Sequence, residues 1–271
     1  MIHLAHTPKD NLSKYLVTIV YNKDYYPEHE IDKYLPDGTI NIIFELTGNP
    51  KYIHDNITHE KTIEYKDVWL SGVLTDYITI TAHCEEMMVV VFKPGAGYPL
   101  THKPAHTFTN TVVPAKDVFG DSVLKLLEQL KEPTTPEEKF QEIEHWLENQ
   151  FKKDDFYTDI IEYAIHEIQT SSSQINISKL AERSGYSQKQ FIELFKKYVG
   201  ITPKQFHRIT RFNEILAAVE NKEKISWARI ASECGYFDQA HFIKDFQSFS
   251  GLNPSKYLSD IGDYPNFFPV K

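Results

Sequence analysis

Apolar positions along the chain change period midway. From Lys14 to about Val91 they fall in short runs rich in β-branched and aromatic residues, at 15–20, 40–46, 68–70, 77–81 and 88–92. Turn signals such as Pro36-Asp37-Gly38 and Thr47-Gly48-Asn49-Pro50 separate them. This pattern predicts antiparallel strands in a β barrel or sandwich. Near Asp121 the spacing becomes helical, with Val123, Leu124, Leu126, Leu127 and Leu130 forming a stripe before Pro133. Thr135-Pro136-Glu137-Glu138 then has the form of a capping box with proline at the first helical position. The helix it opens carries Phe140, Ile143, Leu147 and Phe151 on one face, with Trp146 beside them, and a third helix from about Asp155 carries Phe156, Ile160, Ala164 and Ile168. These helices either cover one face of the β region or form a dimer contact. A polar linker follows at 170–174, and the last eleven residues read as an irregular tail.

The stretch from Asn176 to Tyr257 contains one pattern written twice. Leu180-Ala181, Gly185-Tyr186, Phe191, Phe195, Gly200, Pro203 and Phe206 reappear as Ile230-Ala231, Gly235-Tyr236, Phe242, Phe246, Gly251, Pro254 and Tyr257. The offset is 50 residues up to the Gly-Tyr pair and 51 after it, so one residue is inserted near Phe237. Each copy predicts a helix opened by a cap at Asn176 or Ser226, a glycine turn at Gly185 or Gly235, and a second helix capped by Ser187 or Asp238. The second helices bury their phenylalanine stripe. Their outward faces carry Gln188, Lys189, Ile192, Glu193, Lys196 and Lys197 in the first copy, and Gln239, Ala240, His241, Ile243 and Lys244 in the second. Between the copies, Pro203 to about Asn221 predicts a rod of roughly 27 Å. Two helix-turn-helix units held by such a rod suit successive major-groove faces of DNA, roughly 34–36 Å apart.

Residues from about 171 to 260 resemble the DNA-binding domain of the AraC/XylS family of bacterial transcription regulators. The likeness is carried by the segment from Leu180 to Ser187 with Phe191, Phe195, Lys196, Lys197 and Gly200, then by Ile230-Ala231, Cys234-Gly235-Tyr236, Asp238-Gln239-Ala240-His241-Phe242, Phe246, Gly251 and Pro254. The resemblance implies base contacts from Gln188, Lys189, Ile192, Glu193, Gln239, Ala240, His241, Ile243 and Lys244. Glu193 departs from the arginine that similar proteins often place there, although a carboxylate accepts a hydrogen bond from cytosine N4. Lys196, Lys197, Arg208 and Lys244 are the expected phosphate contacts. Residues 34–46, and 89–97 followed by Val113-Pro114, are similar to a poorly characterised β-rich domain found ahead of such DNA-binding domains, which implies a sensing or assembly module.

Charge sharpens this division. The chain has a formal balance of −9, yet residues 171–271 hold 14 Lys and Arg against 10 Asp and Glu, a balance of +4, leaving −13 for the remainder. Only the C-terminal part is expected to meet an anionic partner. Cys84 and Cys234 lie in different predicted regions without a CxxC or Cys/His pattern, and are expected to be reduced thiols. No apolar run reaches the roughly 20 residues of a membrane span, and none at the start resembles a signal peptide. Lys93-Pro94-Gly95-Ala96-Gly97-Tyr98 lacks the ending of a phosphate loop and is read as a turn. His29, His54, His59, His83, His102 and His106 have no repeating metal-ligand spacing, and no catalytic motif is present.

The sequence therefore predicts an α+β protein: a β-rich sensing or assembly domain at 1–116, a helical connector or dimerisation segment at 117–170, an all-α double helix-turn-helix domain at 171–260, and a tail at 261–271. The expected function is a cytoplasmic, sequence-specific transcription regulator with no catalytic residues, metal or cofactor. Its expected partners are double-stranded DNA, a second copy of itself, a small-molecule effector and, as an activator, RNA polymerase, with no membrane. Direction of regulation is left open by the residues themselves. The alternative is a β-barrel metal-binding protein or enzyme with an appended DNA-binding domain.

Overall fold

The computed structural model describes residues 1–132, 134–151, 157–171, 175–219, 225–260 and 264–270. Pro133, Asp155 and Asn221, used above to place helix ends, and Phe156, placed on the third helix's stripe, lie outside the described residues. The N-terminal part contains β1 (Ile2–His6), β2 (Leu16–Tyr25), β3 (Ile31–Tyr34), β4 (Ile40–Glu45), β5 (Lys51–His54), β6 (Lys61–Tyr65), β7 (Val68–Ser71), β8 (Ile78–Thr81), β9 (Cys84–Phe92) and β10 (Val112–Pro114), with α1 (Gly97–Thr101) between β9 and β10. All described pairings are antiparallel. They build two sheets, β1-β2-β9-β4-β7-β10 and a second of β3, β8, β5 and β6 extended by a strand from the chain's far end. Both sheets keep free edges, so the architecture is a sandwich and not a closed barrel.

The core does not lie where the sheets meet. Along β4 and β9, Ile42, Phe44, Met88, Val90 and Phe92 are wholly buried, whereas their alternate neighbours Ile43, Met87, Val89 and Val91 are only half-buried. Side chains alternate across a strand, so the two sets occupy opposite faces. The buried set shares one core with the apolar stripes of the helices, and Phe92 also meets Phe151, just beyond the helix that ends at Glu148, with ring centroids 6.3 Å apart. The half-buried set faces the second sheet. There the register aligns Val20, Val89, Ile43 and Trp69 in one row across four strands.

After α2 (Lys116–Phe119) come α3 (Asp121–Lys131), α4 (Pro136–Glu148) and α5 (Tyr157–Thr170). The Thr135 capping box is present: Thr135 Oγ1 accepts from the Glu138 amide at 3.3 Å, and Glu138 accepts from the Thr135 amide at 2.9 Å. Val123, Leu126, Leu127, Leu130, Phe140, Ile143 and Leu147 are all buried within the chain. These stripes therefore serve the β domain's outer face. Lys139 is buried too, donating to the carbonyls of Leu130 and Glu132 at the end of α3. Burial lowers its pKa, while Glu86 at 3.9 Å opposes that shift.

The C-terminal part contains α6 (Ile177–Arg183), α7 (Gln188–Val199), α8 (Pro203–Val219), α9 (Trp227–Glu233), α10 (Gln239–Ser250) and α11 (Pro254–Asp260). It is packed directly on the β domain. Thr109 Oγ1 donates to the Gly200 carbonyl at 2.7 Å, Asn213 Nδ2 donates to the Pro36 carbonyl at 2.9 Å, and Tyr98 lies against Tyr198 with centroids 5.1 Å apart. The expected irregular tail is corrected by β11 (Phe267–Pro269), which pairs with β3 and completes the second sheet. Its pairing edge lies more than 230 residues earlier, so no local pattern could announce it.

Candidate nucleic-acid interface

Local capping and glycine chemistry set the two reading helices. Asn176 Oδ1 accepts from the Lys179 amide at 3.0 Å and opens α6. Gly185 then turns the chain with φ +75°, a conformation costly for residues bearing Cβ. Ser187 and Gln190 form a reciprocal capping box that opens α7. In the second unit, Ser226 occupies the cap position of α9 but its side chain makes no capping hydrogen bond, correcting the expected role. Gly235 has φ +72°, and Asp238 Oδ1 accepts from the His241 amide at 2.7 Å to open α10.

The rod α8 supports both units through different aromatic residues. Phe206 meets Phe195 of α7 with centroids 5.8 Å apart, while Phe212 meets Phe246 and Phe249 of α10 at 5.3 and 5.1 Å. Seventeen residues make α8 about 25 Å long. Arg208 does not project as a free phosphate contact, as the sequence suggested. Its guanidinium donates to Asp245 at 2.8 and 3.3 Å and lies over the Phe249 ring. Asp245 is itself only 4% exposed and also faces Arg211 at 3.7 Å and His241 at 3.9 Å. This ionic cluster bolts the second reading helix to the rod.

The candidate base-contacting residues are distributed as follows. Gln188, Lys189 and Glu193 are exposed on α7, and Ile192 is half-buried. On α10, Gln239, Ala240, His241 and Lys244 are exposed and Ile243 is half-buried. Glu193 lies 3.3 Å from Lys196, so its charge is offset by its own helix. Lys197 turns away toward the β domain, with Nζ 3.8 Å above the Tyr98 ring. Phe237, in the turn just before Asp238, is 92% exposed at the edge of the second reading face. The one-residue offset between the two copies was its only sequence signal.

A second candidate site lies between the sheets. A cavity of about 430 Å³ is lined by the half-buried Val20, Val89 and Ile43 and the buried Trp69 of the same row, and from the opposite sheet by Tyr34, Ile53, Ile78 and Ile80. Polar side chains along its wall are tied to one another or to the backbone at several points. Asp32 accepts from His29 at 2.9 Å, Tyr34 donates to Asp37 at 2.7 Å, and Lys51 donates to the His83 carbonyl at 2.8 Å. Burial raises the Asp32 pKa, with His29 pulling it back. Cys84 borders the cavity as a thiol outside any disulfide, its pKa pushed up to about 12 by burial, and Cys234 is also buried and outside any disulfide. His54 Nδ1 is engaged with the His59 carbonyl. Among the described residues no group of three or more side chains is arranged to hold a metal ion, and no helix is long and apolar enough to cross a membrane.

Comparison with known proteins matches two separate stretches of the chain. Residues 180–260 match a helix-turn-helix domain family, and residues 4–114 match a domain of unknown function, DUF6597. An uncharacterised helix-turn-helix-type transcriptional regulator of Haemophilus influenzae is 30% identical over 94 residues, covering 35% of this chain and 31% of that protein. The multiple antibiotic resistance protein MarA of Escherichia coli is 30% identical over 86 residues, covering 31% of this chain and 66% of MarA. The chain thus spans about a third of the first relatives it matches. Among solved structures, ToxT of Vibrio cholerae aligns with 89% of this chain and 97% of its own at 12% identity and TM-score 0.47. Residues 180–260 are thus an AraC-type helix-turn-helix domain, set behind a domain of unknown function at 4–114.

Proposed function

We propose that this protein is a sequence-specific DNA-binding transcription regulator whose β domain receives a small apolar effector. The observation that carries the first half is the pair of reading helices, each with a polar exposed N-terminal face and each seated on the common rod α8. Selecting bound sequences from a random duplex library with the full chain tests it. A bipartite site with half-sites about one helical turn apart is expected, and recovery of no preferred sequence would refute it.

Affinity for the selected site should fall linearly with log salt, with a slope of about 0.9 per neutralised phosphate. Lys244→Ala is expected to reduce that slope by about 1. Lys197→Ala is expected to leave it nearly unchanged, because that ammonium rests on Tyr98. Equal changes for the two variants would place Lys197 on the DNA instead.

Gln239 and Phe237 together form the forward edge of the second reading helix. Gln239→Ala is expected to relax preference at one adenine by about 1–3 kcal/mol without altering the fold. Phe237 offers an apolar surface to a thymine methyl, so Phe237→Ala should matter on thymine-containing sites and not after that thymine is replaced by uracil. Uniform loss on all sequences would assign both residues to the backbone.

The effector half rests on the cavity, whose volume lies within the roughly 300–1,000 Å³ of small-molecule sites. A large exposed apolar lining is unfavourable in water, and an apolar ligand would cover it. Homodimerisation would use a surface other than the α3 and α4 stripes, which are spent inside the chain. Solution mass decides its occurrence.

A further inference from the structure

The second sheet, which forms one wall of the cavity, ends in a strand that belongs to the chain's opposite end. Phe267 of β11 pairs with Tyr34 of β3, their rings 5.0 Å apart, and both line the cavity. One residue later the side chain points the other way. Phe268 is buried, stacked on Tyr257 of α11 with centroids 5.9 Å apart and planes 24° from parallel. Tyr257 in turn packs edge-on against Phe246 of the second reading helix at 5.4 Å, and its hydroxyl donates to the Pro265 carbonyl at 2.7 Å.

A polar thread runs beside this aromatic one. The Asn266 carbonyl accepts from the Leu35 amide at 2.8 Å, and its side-chain amide donates to Asn213 Oδ1 of α8 at 2.9 Å. Asn213 donates back to the Pro36 carbonyl. Residues 264–267 therefore touch the cavity, the β3–β4 turn and the rod at once.

We propose that residues 264–270 are a wall of the effector site, and that cavity occupancy is transmitted through Phe267, Phe268 and Tyr257 to the second reading helix. The proposal rests on the cavity reading above. The site is incomplete without the tail, because Phe267 extends the row formed by Tyr34 and Ile78. The ligand class it fits is a compact, ring-bearing apolar molecule, since most of the lining surface is apolar, the rings of Tyr34, Tyr65, Trp69 and Phe267 among it, while the buried Asp32 and Lys51 already have partners.

The test uses the full chain and the uncharged fluorescent probe N-phenyl-1-naphthylamine. Wild type is expected to bind it with enhanced emission, to slow amide exchange at Asn266, Phe267, Phe268 and Val270 at least about tenfold, and to change its affinity for the selected DNA. Val89→Trp, which fills the cavity, should abolish probe binding. Phe267→Ala should weaken it about tenfold. Phe268→Ala should bind the probe within about threefold of wild type but no longer pass the effect to DNA, with circular dichroism verifying its fold. Unchanged probe affinity in Phe267→Ala, unchanged exchange in the wild-type tail, or an intact DNA response in Phe268→Ala would each overturn the tail's role while leaving the cavity standing. Failure of wild type to bind the probe, or binding undiminished by Val89→Trp, would instead remove the cavity reading and the proposal with it.

Discussion

Asp245→Ala is expected to lower the stability of the C-terminal domain by roughly 3–5 kcal/mol, the usual cost of removing one partner from a buried ionic cluster. The carboxylate is 4% exposed and is the acceptor on which Arg208 converges, with Arg211 and His241 close by. Without it, Arg211 would remain as a buried cation. Its Nη1 still reaches the Gly235 carbonyl at 3.0 Å, but its Nε already lacks a partner. The arginine also lies 4.3 Å from the Tyr236 ring centroid, so its release would disturb the turn that precedes α10. Urea unfolding measures the loss. Asp245→Asn, which keeps the shape and one acceptor, should lose less. A change below about 1 kcal/mol in the alanine variant would place the cluster among solvent-screened pairs.

Gly72→Ala should be similarly damaging, for a steric reason instead of an ionic one. A Cβ at this position would lie 1.8 Å from the Phe108 carbonyl oxygen and 2.5 Å from its carbon. These are backbone atoms and cannot rotate aside. The 3₁₀ turn Ala105–Phe108 would have to move, and it lies beside the end of α7, where Thr109 holds Gly200. Overpacking of this kind costs at least about 1–3 kcal/mol, and the first reading helix should lose its seat. The thermal midpoint and affinity for the selected DNA are the readouts. Gly48→Ala serves as the comparison: its φ is +79°, but nothing lies within 4 Å of the added carbon. It should show only the roughly 1–2 kcal/mol of a left-handed non-glycine residue. Equal losses at the two positions would contradict the steric account.

The sequence by itself determined the elements whose causes are local. The doubled Gly-Tyr pattern, the caps Asn176, Ser187 and Asp238, and the phenylalanine stripes defined both helix-turn-helix units and the rod, because each depends on residues within a few turns of one another. The Thr135 capping box and the five strong strand runs were legible for the same reason. The exposed edge strand β1 and the mostly exposed β6 were not, since neither carries a buried apolar face to mark it. Ser226 matched the local pattern of a cap without making its hydrogen bond.

Tertiary structure decided where charges and faces are spent. Arg208 and Lys197 look like free cations in sequence, and only the tertiary structure brings Asp245 to the one and the Tyr98 ring to the other. Alternation along β4 and β9 announces two apolar faces, but only packing decides that one is sealed by helices and the other left half-open to a cavity. The tail became a strand because β3 offers an unpaired edge to it. A strand's hydrogen bonds go to a partner chosen in space, whereas a helix satisfies its own, and so the helical reading units could be read from the sequence while the strand joining them to the cavity could not.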